Sequence, residues 1–91
     1  MPRSKLDLLA EVLEKSKKET TKTKIVASAN LNQTLATHSL NLLVNLDLLT
    51  ERHNSPTSYC TTEKGMRFLN EYRTLQKLLN AENNKKETRQ L

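Results

Sequence analysis

Apolar residues recur along this chain in a succession of rhythms, and each rhythm predicts an element. Leu6, Leu9, Ala10 and Leu13 follow the i, i+3, i+4, i+7 spacing of one helical face, while Leu8 and Val12 add a second stripe. Two stripes predict a helix covered from two sides. Ser4 followed by Asp7 forms a capping box, in which hydroxyl and carboxylate satisfy orphan amides at the start. The helix is expected to end near Lys17-Lys18, where cations meet the negative end of its dipole. Thr21 or Thr23 then caps a short second helix with Ile25, Val26 and Ala29 inward. Asn30 tolerates the left-handed conformation that stops helices, and Asn32 caps the next one. Two helices joined by so short a turn are a helix-turn-helix.

The third helix, about Gln33 to Leu46, carries the strongest signal. With residues about 100° apart around the axis, Leu35, Ala36, Leu40, Leu42, Leu43, Val44 and Leu46 cover somewhat more than half of the circumference. Thr34, Thr37, His38, Asn41 and Asn45 fall in a stripe about 100° wide on the other side. That stripe holds no Lys, Arg, Asp or Glu. An ordinary solvated face carries charges, whereas amides, hydroxyls and an imidazole offer the donors and acceptors that read base edges in a major groove.

Asp47 ends this helix. Leu48–Arg52 and Ser58–Thr61 are rich in strand-forming residues, and His53-Asn54-Ser55-Pro56-Thr57 between them has turn composition. The expected hairpin, placed directly after a helix-turn-helix, is a wing. Thr62 caps a last helix with Glu63 in its first turn, and Gly65 predicts close packing against another element. Phe68, Tyr72, Leu75 and Leu79 recur with the 4-3-4 spacing of a coiled-coil seam, broadened by Leu69 and Leu78. This helix is expected to reach about Asn83, longer than a small core covers, so its distal half calls for a partner. Asn84–Gln90 is polar and expected to fray. An intramolecular alternative folds the seam back over the Leu8/Val12 stripe. The fold class is mainly α (α+β), a winged helix-turn-helix with a two-stranded wing and a long C-terminal coiled-coil helix. Residues 1–62 form the binding domain, 63–83 the dimerisation helix and 84–91 a flexible polar tail.

Composition narrows the function. The chain has 91 residues, enough for one domain, and only 35% of them are hydrophobic, so its core is thin. Fifteen Lys and Arg against ten Asp and Glu give a net charge of +5, which suits a polyanionic partner. The positive charge lies on the flanks, and the stretch from Ile25 to Leu46 carries none. With 3% aromatic residues and no Trp, stacking platforms for single strands are excluded. One Cys excludes a disulfide framework and a Cys-rich zinc site; Cys60 reads as a buried small residue of the wing strand. Cys60, His38 and His53 lack the close spacing of metal ligands. No apolar run approaches a membrane span, and Met1–Asp7 lacks a secretory apolar region, so a soluble cytoplasmic protein is expected. No nucleophile–base arrangement, Gly-rich phosphate loop or paired-carboxylate cleft stands out. The expectation is therefore no enzyme, and no cofactor, metal or small-molecule ligand.

The candidate DNA-reading residues are Asn32, Gln33, Thr34, Thr37, His38 and Asn41. Solvation, or cover by a partner chain, is the alternative reading of that stripe. Arg52, His53, Asn54 and Ser55 at the wing tip could touch phosphates or enter a minor groove, or simply form a hydrophilic tip. Lys22, Lys24, Arg3 and Lys5 stand near helix N-termini, where their charge opposes the dipole; bound phosphate explains them, and general solubility does so equally.

The ordered set of elements resembles the archaeal ten-kilodalton winged-helix DNA-binding family and related archaeal winged helix-turn-helix transcriptional regulators. The resemblance spans about Arg3 to Leu79. It is carried by Arg3-Ser4-Lys5-Leu6, Thr23-Lys24-Ile25, Ala29-Asn30-Leu31, Leu40–Leu49, Thr62-Glu63-Lys64-Gly65 and Phe68-Leu69. Asp47 departs from the usual Gly, Ser39 from an expected aromatic, and the third helix lacks the Lys and Arg often seen there. The resemblance implies a homodimer joined through the C-terminal helix by Phe68, Tyr72, Leu75 and Leu79. It also implies a double-stranded DNA-binding protein that regulates transcription or organises chromatin, associated with the nucleoid. The short seam leaves parallel and antiparallel pairing open. The alternative function is a winged-helix protein-interaction module in a multiprotein assembly, since a protein partner does not demand cations.

Overall fold

The computed structural model describes residues 4–89, with side chains for residues 4–80. Helix α1 spans Lys5–Lys15 and begins with the expected capping box: the Asp7 amide donates to Ser4 Oγ at 3.1 Å and the Ser4 amide to the Asp7 carboxylate at 3.4 Å. Leu8, Leu9, Ala10, Val12 and Leu13 are all buried, so both apolar stripes are covered except at Leu6, which opens the first stripe and is 44% exposed in the first helical turn. The helix stops at Ser16, short of the expected Lys17-Lys18, for a tertiary reason. Ser16 is fully buried, its hydroxyl donates to the Val12 carbonyl at 2.8 Å, and its own carbonyl accepts from the Thr61 amide at 2.8 Å. The chain is thereby turned from the helix into a sheet.

That sheet has three strands rather than the two of the expected wing. Thr20–Thr21 forms a short β1, Leu49–Arg52 forms β2 and Ser58–Thr61 forms β3, in the order β1-β3-β2 with both pairings antiparallel. The register sets Thr20 opposite Tyr59, Leu49 opposite Thr61 and Arg52 opposite Ser58. Thr61 also donates its hydroxyl to the Leu13 carbonyl at 2.6 Å, which fixes β3 to the end of α1. Cys60 is half-buried, not buried as expected.

Helix α2 (Lys22–Ala29) is capped by Thr21 and ends at Asn30, which adopts the left-handed conformation at φ 55°. Helix α3 (Gln33–Asn45) is capped by Asn32, whose side-chain oxygen accepts from the Leu35 amide at 2.7 Å. Asp47 follows with φ 62°, the region that glycine enters most easily. Ile25, Ala36, Leu40 and Leu43 meet Val12, Leu13, Leu49 and Leu69 in one core. Two leucines expected inward are not: Leu35 is 41% and Leu46 46% exposed.

Helix α4 (Glu63–Arg89) runs beyond the expected Asn83 and, at 1.5 Å per residue, is about 40 Å long. Thr62 Oγ1 accepts from the Gly65 amide at 3.0 Å and donates to the Asp47 carbonyl at 2.6 Å. Gly65 is demanded by contact, as expected. A Cβ there would stand 2.2 Å from the Leu48 carbonyl oxygen and 2.6 Å from Thr61 Cγ2.

Candidate nucleic-acid interface

The two polar caps Thr21 and Asn32 set the start of α2 and α3, and burial of the apolar side of α3 leaves its polar side outward. Asn32, Gln33, Thr34, Thr37, His38, Asn41 and Asn45 are all exposed. Ala36, Ser39, Leu40 and Leu43 are buried on the opposite side. The uncharged stripe is therefore an open surface, uncovered by any described element of the same chain.

Lys22, the first residue of α2, sends its ammonium across to Thr37 Oγ1 in a short hydrogen bond. This contact joins a candidate phosphate-binding cation to a candidate base-reading hydroxyl, a link the sequence did not reveal. Lys5 in α1 and Lys24 in α2 are exposed, and Arg3 lies outside the described residues.

The wing is less free than its composition implies. The Arg52 guanidinium pairs with Glu19 at 3.0 Å, and Glu19 also accepts from the Ser58 hydroxyl. His53 Nε2 lies 3.4 Å from Glu51, an ion pair when the imidazole is protonated. Glu51 accepts from the Tyr59 hydroxyl at 3.1 Å as well; burial first, and then this carboxylate, raises the Tyr59 phenol above its ordinary value. Asn54 and Ser55 at the tip are exposed. Sequence reasoning missed Glu19 and Glu51 as partners. The available signal was the hairpin register, which brings Arg52 opposite Ser58 and Glu51 opposite Tyr59.

The expected seam divides into two parts. Phe68 and Tyr72 are half-buried against their own core, so this half has the intramolecular role. Tyr72 donates its hydroxyl to the Asp7 carboxylate and accepts from Gln76 Nε2 at 3.0 Å. The carboxylate pushes the Tyr72 phenol up to about 12, and the same bond holds Asp7 below the usual carboxylate range, with the Ser4 hydroxyl adding to it. Arg73 pairs with Glu14 at 2.6 Å, and Lys17 with the same carboxylate at 2.9 Å. The Lys17 hydrogen bond first, and Arg73 beside it, lower the Glu14 carboxyl below its ordinary value. Beyond this anchored stretch Leu75, Leu78 and Leu79 are 52%, 61% and 65% exposed. Among the described residues there is no cluster of His, Cys, Asp and Glu that could hold a metal ion, and no helix long and apolar enough to cross a membrane.

The winged helix-turn-helix sequence pattern matches residues 2–80. The chain belongs to the winged helix-turn-helix family. Among solved structures, this winged helix is similar to Sso10a-2, a DNA-binding protein from Sulfolobus solfataricus. The TM-score is 0.86 at 21% identity, over 94% of this chain and 92% of that one. The likeness agrees with the archaeal resemblance drawn from the sequence. It is also similar to a MarR family transcriptional regulator from Silicibacter pomeroyi, with a TM-score of 0.72 and 21% identity. Here 86% of this chain matches 55% of the regulator. A third likeness is to Lactococcus lactis ZitR, in a mutant form solved in complex with DNA. Its TM-score is 0.65 at 19% identity, over 92% of this chain and 65% of ZitR. At these identities the likeness concerns the fold. A comparison with curated protein sequences finds no match.

Proposed function

We propose that this winged helix binds double-stranded DNA as a homodimer, acting as a transcriptional regulator or an organiser of chromatin. The observation that carries the proposal is the open, uncharged face of α3, where Thr34, Thr37, His38 and Asn41 are exposed on one side of a helix whose other side is core. Such a face offers hydrogen-bond donors and acceptors without the desolvation cost of charges, and its width suits a major groove. Asn32 and Gln33 extend it at the leading end of the helix. Lys5, Lys22, Lys24 and Arg3 supply phosphate contacts that fix register, and His53, Asn54 and Ser55 set the wing tip against the adjacent backbone, while Arg52 stays paired with Glu19 and steadies the wing. Sso10a-2 is a DNA-binding protein, and ZitR has been solved on DNA; both support this assignment.

The exposed Leu75, Leu78 and Leu79 support a dimerisation role for the distal half of α4, with Phe68 and Tyr72 holding its root to the domain. A symmetric pair presents two copies of α3 to a two-fold site or to two duplexes. The protein acts within the cell on the nucleoid and works by binding, without an enzymatic step. Residues 1–62 make the binding domain and α4 the dimerisation arm.

Fluorescence anisotropy with a duplex selected from a random pool tests the proposal. Thr37→Ala and Asn41→Ala should each weaken binding by about 1–3 kcal/mol per lost base contact, and less on random duplex. Lys22→Gln should instead weaken all duplexes alike and flatten the slope of log affinity against log salt by about 0.9. Absence of binding at low salt would remove DNA as the partner. Unchanged affinity in folded Thr37→Ala and Asn41→Ala proteins would remove α3 as the reading element.

A further inference from the structure

Between the first turns of α1 and the flank of α3 lies an open cavity of about 570 Å³, within the range of small-molecule sites. Its floor is apolar, formed by Leu8 and Leu9 of α1 with Leu35 and Leu42 of α3. Lys5 and His38 stand at its walls, and among the described residues no carboxylate lines it. Asp7, the acid nearest in sequence, is held on another side of α1 by Tyr72.

The cavity has a cause in the sequence. Ser39 is 5% exposed and belongs to the inward face of α3, but it fills far less space than the leucines around it. A large side chain at this position would occupy the volume that Ser39 leaves. The same vacancy explains why Leu35 is 41% exposed although it lies at the edge of an apolar face. Apolar surface of this kind, concave and rimmed by a few polar groups, gains by covering with an apolar body.

We infer that this cavity is a binding site for a small apolar carboxylate, seated on Leu8, Leu9, Leu35 and Leu42 with its charged head towards Lys5. The complementarity decides the class: an apolar floor selects the body, and a lysine without a neighbouring carboxylate selects an anionic head. The site also touches function. His38 lines the cavity and belongs to the uncharged stripe, so an occupied cavity competes with DNA for the same imidazole and for approach to α3. This last consequence rests on the DNA-binding reading, while the ligand site itself does not.

Methyl NMR spectra of the full chain, titrated with 2-naphthoate and separately with 2-naphthol, provide the test. With 2-naphthoate, saturable shifts are expected at the Leu8, Leu35 and Leu42 methyls, and 2-naphthol should bind about fivefold more weakly for want of the ion pair. Lys5→Gln should erase that preference. Ser39→Phe should fill the cavity and abolish binding of either probe, its thermal unfolding confirming that it is folded. If Ser39→Phe does not fold, the Lys5→Gln comparison still decides. Shifts absent from these methyls or centred on Leu75, Leu78 and Leu79 would overturn the site. So would equal affinity for the two probes, or undiminished binding to folded Ser39→Phe. Adding saturating 2-naphthoate to the anisotropy assay should weaken duplex binding several-fold. Failure of duplex binding without any naphthoate would count against the DNA reading alone.

Discussion

Replacing Gly65 by Ala sets two physical effects against each other, and the structure determines which prevails. In a helix, Ala in place of Gly is favoured by about 1 kcal/mol, because glycine loses more backbone freedom and packs nothing. Here the added methyl would lie 2.2 Å from the Leu48 carbonyl oxygen and 2.6 Å from Thr61 Cγ2. The first neighbour is backbone and has little room to retreat. It accepts the Thr62 amide at 3.1 Å, and Thr62 in turn holds the Asp47 carbonyl at 2.6 Å. Moving it by the ångström or so needed would lengthen the Thr62–Leu48 bond, worth about 1 kcal/mol, and add overpacking of about 1–3 kcal/mol. The net expectation is a loss of about 1–3 kcal/mol, which in a domain of this size lowers Tm by roughly 5–20 °C. Urea unfolding followed by circular dichroism should show a lower midpoint with an unchanged slope. Asn70→Ala, on the exposed side of the same helix, should lose nothing. A Gly65→Ala protein as stable as the wild type, or more stable, would refute the reasoning: the joint between α3, β2 and α4 would then be soft rather than fixed by Leu48.

Three other outcomes follow from the same geometry. Asp47→Gly should stabilise the fold by at most about 1 kcal/mol, since it relieves a side chain at φ 62° without touching the Asp47 carbonyl; a lower urea midpoint would contradict this. Tyr72→Phe should destabilise the protein at neutral pH by removing the Asp7–Tyr72 bond. Asp7 is lowered when folded, so its contribution is present above about 3.8 and fades as pH falls through the lower folded value; Tyr72 is raised, so its own is present below about 10 and fades towards 12. The stability gap between wild type and Tyr72→Phe should therefore narrow at both ends of a pH series, and a gap independent of pH would count against the pairing. Leu75→Lys with Leu79→Lys should turn a sedimenting dimer into a monomer while leaving Tm of the winged domain nearly unchanged, because both leucines are exposed in the single chain. A wild-type monomer at micromolar concentration would dispose of the dimer.

Local chemistry was legible in the sequence because it acts over a few residues. Ser4 with Asp7, Thr21, Asn32 and Thr62 cap helices through atoms three positions away, and Asn30 stops α2 by its own backbone preference. The polar stripe of α3 was legible for the same reason, since helical periodicity alone sets it outward. What escaped depends on partners distant along the chain. A two-residue strand has no rhythm, so β1 exists only because β3 lies beside it. The end of α1 is set by Thr61, and the inward lean of Tyr72 by Asp7, which stands 65 positions earlier. A 4-3-4 repeat cannot say which of its members meet the parent domain and which meet another chain. The exposure of Leu35 was hidden too, because it depends on the small volume of Ser39 rather than on the helical angle of Leu35 itself.

The arrangement of charge bears on how such a protein could bind with so neutral a reading helix. A net charge of +5 suggests broad attraction to a polyanion, but several of the fifteen cations are already engaged within the fold. Arg52 is held by Glu19, Arg73 and Lys17 by Glu14, and Lys64 donates to the Leu46 carbonyl at 3.0 Å, where it complements the negative end of α3. These cations serve the architecture: they fix the wing, tie α4 to α1 and close the end of α3. A phosphate that competed for Arg52 would have to displace a carboxylate, so its net gain is small. The cations left for phosphates near α3 are mainly the lysines of α1 and α2. Lys22 is already directed onto α3 by its hydrogen bond to Thr37. Binding built this way relies on few released counterions, and hence on a shallow salt dependence. Under the proposed function, binding would therefore lean on hydrogen bonds from Thr34, Thr37, His38 and Asn41, whose strength depends on which bases they meet. On that physical ground a regulator that discriminates between sequences fits the surface better than a protein that coats DNA indifferently.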